Sequence, residues 1–205
     1  RMADWEQERH CPCAREAQAE SSSRRSLLAA SLVLVAAPLV PAGTAAADNP
    51  RRLKPQTGDG LAYMTGEKQG KQITPADLKV GAPPVLAYPL DMASQTVRDG
   101  ARTNLLALVK LPPDDLPAAL KADAADGVVA FSAICTHYGC PITEIHPSGG
   151  ALVCNCHGST FDVRKNGEVV AGPATRRLTH LPLKQSEGAL LVAGNFSGPL
   201  GPPQQ

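Results

Sequence analysis

The chain has 205 residues, which is room for one domain of ordinary size and a tail. A formal net charge of +1 at pH 7 gives no basic or acidic excess, and this argues against a protein that binds nucleic acid or a membrane surface through its charge. The 18 glycines and 19 prolines favour short strands and many turns over a helical bundle.

The first 47 residues have the pattern of an export signal. Arg24 and Arg25 precede an apolar stretch, Leu27–Val40, and small residues follow at Ala45–Ala47. Paired arginines ahead of a modest apolar run resemble a twin-arginine signal, a route that carries proteins already folded. We therefore predict export to the periplasm followed by cleavage. An ordinary secretory signal, or an anchor kept in the inner membrane, is the alternative, although prolines and many alanines weaken the anchor.

Composition divides the rest of the chain into three parts. Residues 48–60 are rich in turn formers and predict a linker, and residues 198–205 predict a loose C-terminal tail. Residues 61–197 contain short apolar runs bounded by turn signals, the pattern of an antiparallel all-β domain. A brief helix is predicted over Leu116–Ala125. The predicted strands lie at Leu61–Thr65, Val85–Leu90, Asn104–Leu111 and Gly127–Ile134, and the predicted hairpins lie around Asn166-Gly167 and over 178–193.

Four of the six cysteines lie in two short segments that also contain histidine. The first box, residues 135–140, reads Cys-Thr-His-Tyr-Gly-Cys, and the second box, residues 154–159, reads Cys-Asn-Cys-His-Gly-Ser. Such clustering in a chain of this length indicates a metal site, and two thiolates with two imidazoles would suit zinc. Each box has one further cysteine, Cys140 or Cys156. The candidate ligands are Cys135, His137, Cys154 and His157.

At these boxes the sequence resembles the disulfide-containing branch of the Rieske 2Fe–2S family, most strongly over Gly127–Pro173. The resemblance implies an antiparallel Rieske-type β sandwich with a smaller, loop-rich cluster-binding subdomain at about residues 133–175, and it disfavours zinc. It also implies a disulfide between Cys140 and Cys156, which an oxidising compartment permits. The implied ligand pairs, one for each iron, are Cys135 with Cys154 and His137 with His157.

Further residues are implied to surround the cluster. Ser159 stands where high-potential members of the family have a serine that bonds a cluster sulfide. Phe161 stands where those members have a tyrosine that donates to a ligand cysteine, so we expect a lower potential. Tyr138 occupies the site where a leucine often covers the cluster. Gly172-Pro173 resembles the family's proline loop, which closes a third side of the cluster.

The other histidines are given no role in the cluster. His146 is predicted to be a loop residue, and His180, which alternates within a predicted strand, is predicted to face solvent. The sequence shows no recognisable Ser–His–Asp arrangement, phosphate loop or paired carboxylates. We therefore interpret the chain as an electron-transfer subunit of an oxidoreductase and not as a catalyst on its own.

The family offers two complexes for an exported member with a disulfide. One is an arsenite-oxidase-like molybdenum enzyme, favoured here by Phe161 and by the doubtful anchor. The other is a quinol–cytochrome c oxidoreductase, favoured by Gly158-Ser159 and by the intact proline loop. The implied partners are a larger subunit, of the molybdopterin or the cytochrome b type, and a c-type cytochrome or similar acceptor. We narrowly favour the first complex, and a free-standing periplasmic electron carrier is a third possibility.

Overall fold

The computed structural model describes residues 49–146 and 150–203. In these ranges the chain forms β-strands and short 3-10 helices, and the strands pair antiparallel, so the predicted all-β fold class is confirmed. None of the described helices is long and apolar enough to cross a membrane. The predicted signal or anchor lies outside the described residues.

Three sheets contain all the strands of the described part of the chain. The strands are β1 (Gly60–Tyr63), β2 (Val85–Leu90), β3 (Leu106–Lys110), β4 (Val128–Ser132), β5 (Glu144–Ile145), β6 (Ala151–Cys154), β7 (Ser159–Asp162), β8 (Glu168–Ala171), β9 (His180–Leu181), β10 (Leu183–Ser186) and β11 (Ala189–Val192). The 3-10 helices are Pro50–Arg52, Pro75–Asp77, Arg102–Asn104, Pro113–Asp115, Ala118–Leu120 and Val163–Lys165.

The central sheet has the strand order β1-β2-β3-β4-β9 and is buried on both faces. Successive side chains of a strand point to opposite faces, and those of β3 alternate between two buried apolar clusters. Leu106 and Leu108 belong to one cluster, while Ala107 and Val109 belong to the cluster that also contains the cysteines of the metal site. The same alternation along β4 fixes the position at which the chain enters the first box.

The second sheet, of order β5-β6-β7-β8, carries the second box. Strands β6 and β7 form a hairpin in which Cys154 is paired with Ser159, so the second box is the turn of that hairpin. The predicted hairpin around Asn166-Gly167 is confirmed, with β7 and β8 as its strands. Asn166 and Gly167 both have positive φ, of 54° and 69°, as such a turn requires. Strands β10 and β11 form the last hairpin.

The predicted helix over Leu116–Ala125 is wrong. Only a 3-10 turn forms there, at Ala118–Leu120. A ten-residue segment has too few hydrogen bonds to offset helix nucleation, and residues outside the segment take some of its backbone groups. The carbonyl of Asp123 accepts from the Leu183 amide at 2.9 Å, and the Ala125 amide donates to Val128 at 3.0 Å.

His180 is 7% exposed, which contradicts the prediction that it faces solvent. Pro182 divides the predicted strand into β9 and β10, so the assumed alternation does not continue through it. The Nε2 atom lies 2.8 Å from a carboxylate oxygen of Asp123, and Nδ1 lies 3.1 Å from the hydroxyl of Ser197. Because a carboxylate only accepts, Nε2 is the donor to Asp123. This Ser–His–Asp contact, which the sequence did not reveal, joins β9 to the C-terminal segment.

The predicted linker is packed against the domain from residue 49 onward. Arg98 donates to Asp59 at 2.7 Å, and both side chains are only 5% exposed. Asn104 is 1% exposed and donates from its amide nitrogen to the carbonyl of Leu53 at 2.8 Å. Because a buried charge without its partner is strongly destabilising, the ion pair fixes this segment to the sheet.

Residues 197–202, which we call the C-terminal strap, are also packed. The carbonyl of Pro199 accepts from the hydroxyl of Thr179 at 2.8 Å, and the carbonyl of Gly201 accepts from the guanidinium of Arg176. The predicted loose tail is therefore wrong for the part that is described; the last two residues lie outside it. Prolines and glycines suggested looseness, but here they supply carbonyl acceptors for side chains of the preceding segment.

Candidate metal centre

The first box is a closed loop at the end of β4. The amide of Cys135 donates to the carbonyl of Cys140 at 2.8 Å, and the amide of Gly139 donates to the carbonyl of Cys135 at 2.9 Å. After the loop, the amide of Ile142 donates to the carbonyl of Ala133 at 2.8 Å, so the segment that follows the first box lies beside the segment that precedes it. These bonds hold the two cysteines of the box close together.

The second box is a tight turn between β6 and β7. The amide of Gly158 donates to the carbonyl of Cys154 at 2.9 Å, and Gly158 has a positive φ of 72°. Residues 155–158 are exposed, while Cys154 and Ser159, at the ends of the paired strands, are buried. The sheet therefore sets the position of Cys154, whereas His157 projects from the turn.

The proline loop approaches the second box closely. Gly172 has a φ of +84°, and a Cβ at this position would lie 2.5 Å from the Cα of Ser159. The amide of Ala174 donates to the hydroxyl of Ser159 at 3.2 Å. Only glycine fits between these backbones. Gly172 of the predicted proline loop thus lies beside the second box. That the loop closes a third side of the cluster stays a prediction.

A disulfide joins Cys140 of the first box to Cys156 of the second, with 6.6 Å between their Cα atoms. This is the pairing that the resemblance implies. Cys135 and Cys154 keep free thiols and are each 1% exposed. The sulfur of Cys154 lies within 4.8 Å of both disulfide sulfurs. Because the bridge occupies Cys140 and Cys156, the two buried thiols are the ones available to a metal.

The imidazoles of His137 and His157 come together on the outer side of the two boxes. Their ring centroids are 4.8 Å apart, with an interplanar angle of 88°. His137 is half-buried, and its Nδ1 is buried without a hydrogen-bond partner among the described residues. An unsatisfied buried nitrogen is costly, and coordination to a metal would satisfy it.

The electrostatics of the thiols agree with a metal site. Burial raises the pKa of the Cys135 thiol, although the backbone amide of His137, 3.5 Å from its sulfur, acts in the opposite direction. A thiolate at this depth needs a cation to compensate it. Two buried thiols with two imidazoles, one of them unsatisfied, therefore fit a group that binds both sulfur and nitrogen.

Comparison with known proteins gives the family. The model of the Rieske [2Fe-2S] domain matches residues 92–182. The chain is 33% identical over 134 residues to the cytochrome bc1 complex Rieske iron-sulfur subunit of Streptomyces lividans, covering 63% of this chain and 78% of that protein. The chain belongs to the Rieske [2Fe-2S] family. Its cofactor is accordingly a 2Fe–2S cluster.

Other Rieske relatives share smaller parts. The Corynebacterium glutamicum cytochrome bc1 Rieske subunit is 37% identical over 105 residues, covering 48% of this chain and 26% of that protein. A putative respiratory nitrate reductase Rieske subunit of Haloferax mediterranei is 38% identical over 107 residues, covering 51% of this chain and 48% of that protein. The chain therefore spans about a quarter to a half of the length of these two relatives.

The structure brings the four candidate ligands of this Rieske domain together: the two imidazoles are in contact, the His137 amide lies 3.5 Å from the Cys135 sulfur, and the Cys135 and Cys154 thiols interact. Cys135 and Cys154 would hold the cluster from inside, and His137 and His157 from the surface side. The assignment of one iron to the cysteines and the other to the histidines stays a prediction. His146 lies in an exposed loop, as predicted for it.

The residues predicted to surround the Rieske cluster differ in burial. Ser159 and Phe161 are fully buried, and Phe161 belongs to the same apolar cluster as Cys135 and Cys154. Tyr138 is 67% exposed, and its ring lies 4.3 Å from that of His137, centroid to centroid. Tyr138 therefore covers part of the His137 ring. The influence of these residues on the potential stays a prediction.

One contact beside the cluster could not be predicted from the boxes. The hydroxyl of Thr136, between two candidate ligands, donates to the carbonyl of Arg176 at 2.5 Å. The two residues are 40 positions apart, and the acceptor is a backbone carbonyl, which any residue supplies. No local sequence signal marks such a bond.

Proposed function

We propose that the chain is an electron-transfer subunit of a larger respiratory oxidoreductase and passes single electrons between its partners. One observation carries this proposal: the two thiols are buried, whereas His157 is exposed and His137 half-buried at the same end of the domain. The 2Fe–2S cluster supplies the one-electron redox step when it is bound. The protein supplies the position, the exclusion of water and a surface that a partner can approach.

The ligand set favours acceptance of an electron at a moderate potential. Neutral imidazoles replace two thiolates and thereby remove two negative charges, which raises the potential over that of an all-cysteine cluster. Burial of Cys135 and Cys154 keeps water away from the sulfur side, while His157 offers a short path from the surface. This arrangement suits a relay that meets its partner at the histidine side.

The names of the relatives support two kinds of complex. The Streptomyces lividans relative is named as a subunit of a cytochrome bc1 complex, and the Haloferax mediterranei relative as a subunit of a putative respiratory nitrate reductase. Both names describe subunits of respiratory complexes. We therefore propose that the partner is a larger catalytic subunit of a respiratory enzyme or a molybdenum enzyme. A quinol–cytochrome c oxidoreductase is the alternative complex. The arsenite-oxidase-like setting stays a prediction from the sequence.

The cofactor proposal is tested by metal analysis and EPR of the full chain made under iron-replete conditions. We expect two irons and two acid-labile sulfides, and a low-average-g signal after reduction, since the iron pair has mixed ligands. His157→Ala should lose this signal, while the matched control His146→Ala, which changes an exposed loop histidine, should retain it. Stoichiometric zinc in place of iron would contradict the proposal.

The partner is tested by site-specific photo-crosslinking in the native host. A crosslinker at Asn155, exposed in the second box, should capture the electron partner, and one at Lys184, exposed on β10, serves as the control. Capture of a cytochrome b subunit supports the quinol setting, and capture of a molybdopterin subunit supports the other. Equal capture from both positions would show that the histidine side is not the docking side.

We also propose that the domain works in the periplasm, where a disulfide such as Cys140–Cys156 persists. The pair Arg24-Arg25 before an apolar run supports export by a twin-arginine route. Replacing both arginines by lysine should keep the protein in the cytoplasm, as measured by cell fractionation. The matched control is the same exchange at Arg51 and Arg52, which follow the apolar run. Export that is unaffected by the first exchange would contradict the route.

A further inference from the structure

The C-terminal strap ends beside the first box. A Cβ placed on Gly139 would lie 3.4 Å from the Cδ of Pro202, and one placed on Gly201 would lie 3.6 Å from a methyl of Ile134. Gly201 is itself buried. The end of the strap therefore packs on the first box from the outside, at the residue before Cys135 and the residue before Cys140.

Arg176 joins the strap to the first box by a second path. Its guanidinium donates to the carbonyl of Gly201, and its own carbonyl accepts the hydroxyl of Thr136 at 2.5 Å. Thr136 is 2% exposed and lies between Cys135 and His137. A movement of the strap end would therefore be transmitted through Arg176 to the backbone that carries these two side chains.

The beginning of the strap is held independently of the box. The amide of Ser197 donates to the carbonyl of His180 at 2.9 Å, and the amide of His180 donates to the hydroxyl of Ser197 at 3.1 Å. Thr179 holds Pro199 two residues further on. These bonds attach the strap to β9, which pairs with β4, the strand that enters the first box. The strap thus spans from the central sheet to the ligand loop.

We propose that the end of the C-terminal strap, residues 201 and 202, together with Arg176, is a positioning element of the 2Fe–2S site. It holds the first box in its ligand-presenting shape and limits the access of water on the Cys135 side. The proposal rests on the proposed cluster at the two boxes, but the packing that carries it belongs to the protein alone. The end of the strap thus supports electron transfer by positioning the first box, although it contributes no ligand.

The first test is truncation of the full chain. A stop after Leu200 removes the contacts with Gly139, Ile134 and Arg176 but leaves the bonds of Ser197 and Pro199. A stop after Pro203, which removes only two residues, is the control. We expect the Leu200 variant to release iron to a chelator about tenfold faster than the control, the lower end of the effect seen when supporting groups around metal ligands are lost. Its midpoint potential and EPR g values should also shift.

A second test uses point variants, and it stands even if the truncated chain fails to fold. Arg176→Ala should accelerate iron release and shift the potential, whereas Arg177→Ala, an exposed neighbour with the same loss of charge, should do neither. Thr136→Val should reproduce the Arg176 effect, and Thr136→Ser, which keeps the hydroxyl, should restore the original values. Equal potentials in Arg176→Ala and Arg177→Ala would overturn the proposal.

A third readout does not depend on the cluster. In metal-free protein, the rate at which dithiothreitol reduces the Cys140–Cys156 disulfide reports the exposure of the first box. We expect this rate to rise severalfold in the Leu200 truncation and in Arg176→Ala, and to be unchanged in the two controls. An unchanged rate in all variants would overturn the positioning role even if iron analysis had already supported the cluster. A failure of iron binding in every variant, with the rate still raised, would instead count against the proposed function alone.

Discussion

The first box leaves the central sheet and returns to it, whereas the second box is only the turn of a hairpin. Backbone bonds from the Cys135 amide to the Cys140 carbonyl and from the Ile142 amide to the Ala133 carbonyl close the first box, and Arg176 and the strap cover it. The second box is closed by the pairing of Cys154 with Ser159 and by the bond from the Gly158 amide to the Cys154 carbonyl. The two boxes thus present similar ligands, but the first box is held by more contacts with the rest of the domain than the second.

Burial follows the same division. In the first box Thr136 and Gly139 are buried, His137 is half-buried and only Tyr138 is exposed, while all four residues between Cys154 and Ser159 are exposed. The second box depends on contacts from outside its own hairpin, which are the disulfide to Cys140 and the close approach of Gly172. We therefore expect the second box to be the more sensitive of the two when those contacts are removed.

Removal of the disulfide should have the largest effect. Cys156→Ser breaks the disulfide that joins the two boxes and should destabilise the loops by about 2–4 kcal/mol. We expect cluster loss on dilution with little change in the far-UV circular dichroism, because the sheets remain paired. Cys140→Ser should behave alike. Non-reducing mass mapping of periplasmic protein should find both cysteines bridged, and recovery of both as free thiols would contradict the bridge.

Gly172→Ala should come next. A Cβ there would lie 2.5 Å from the Cα of Ser159 and 2.7 Å from the Gly158 carbonyl oxygen, so one backbone must move. The matched control is Gly188→Ala, since Gly188 also has a positive φ, of 78°, but no atom lies within 4 Å of its Cβ position. In both variants an alanine must adopt a positive φ, which costs about 1 kcal/mol. Only Gly172→Ala should also displace the second box. Iron retention and the potential measure the difference; equal values would show that the second box tolerates the shift.

The comparison also explains which parts of the molecule could be predicted. The candidate ligands lie within two six-residue boxes that sequence clustering marks as a metal site, and the resemblance of these boxes to the Rieske family implies the disulfide partners. Strands such as β2 were recognised because apolar runs between turn formers are local signals. The strap and the bond from Thr136 to Arg176 were not, because their acceptors are backbone carbonyls distant in sequence. The prediction that His180 faces solvent is wrong because Pro182 interrupts the strand and because the carboxylate partner, Asp123, is 57 positions away in sequence.

Ser159→Ala should lower the reduction potential. The hydroxyl is fully buried beside the second box and accepts from Ala174, which leaves its proton available to the cluster side. A hydrogen bond to the cluster strengthens when the cluster gains an electron, so its loss disfavours reduction. Voltammetry should show a decrease of a few tens of millivolts. The decrease should exceed that of Thr160→Val, a neighbouring hydroxyl that instead donates to the Gly158 carbonyl.

Phe161→Tyr should raise the potential, by an amount similar to or smaller than the decrease in Ser159→Ala. A hydrogen bond to a charged thiolate contributes roughly 1.5–3 kcal/mol in total, but only its change between the two redox states alters the potential. A difference of about 1 kcal/mol corresponds to roughly 40 mV for one electron, given about 59 mV per tenfold change in equilibrium constant. The sign is positive because the reduced cluster carries one more negative charge and holds the donor more tightly.

The matched control for this variant is Phe131→Tyr. Phe131 is also fully buried in the same apolar cluster, but its ring lies beside Gly167 and has an edge-to-face contact with His180. Both variants bury a new hydroxyl, and both should lose some stability, yet only Phe161→Tyr should change the potential. If its potential is unchanged while a crystal structure shows the new hydroxyl bonded to Cys135 Sγ, hydrogen bonding does not control the potential. Exposure of His157 in the second box would then be the stronger influence, and the difference between the two boxes would itself set the redox properties.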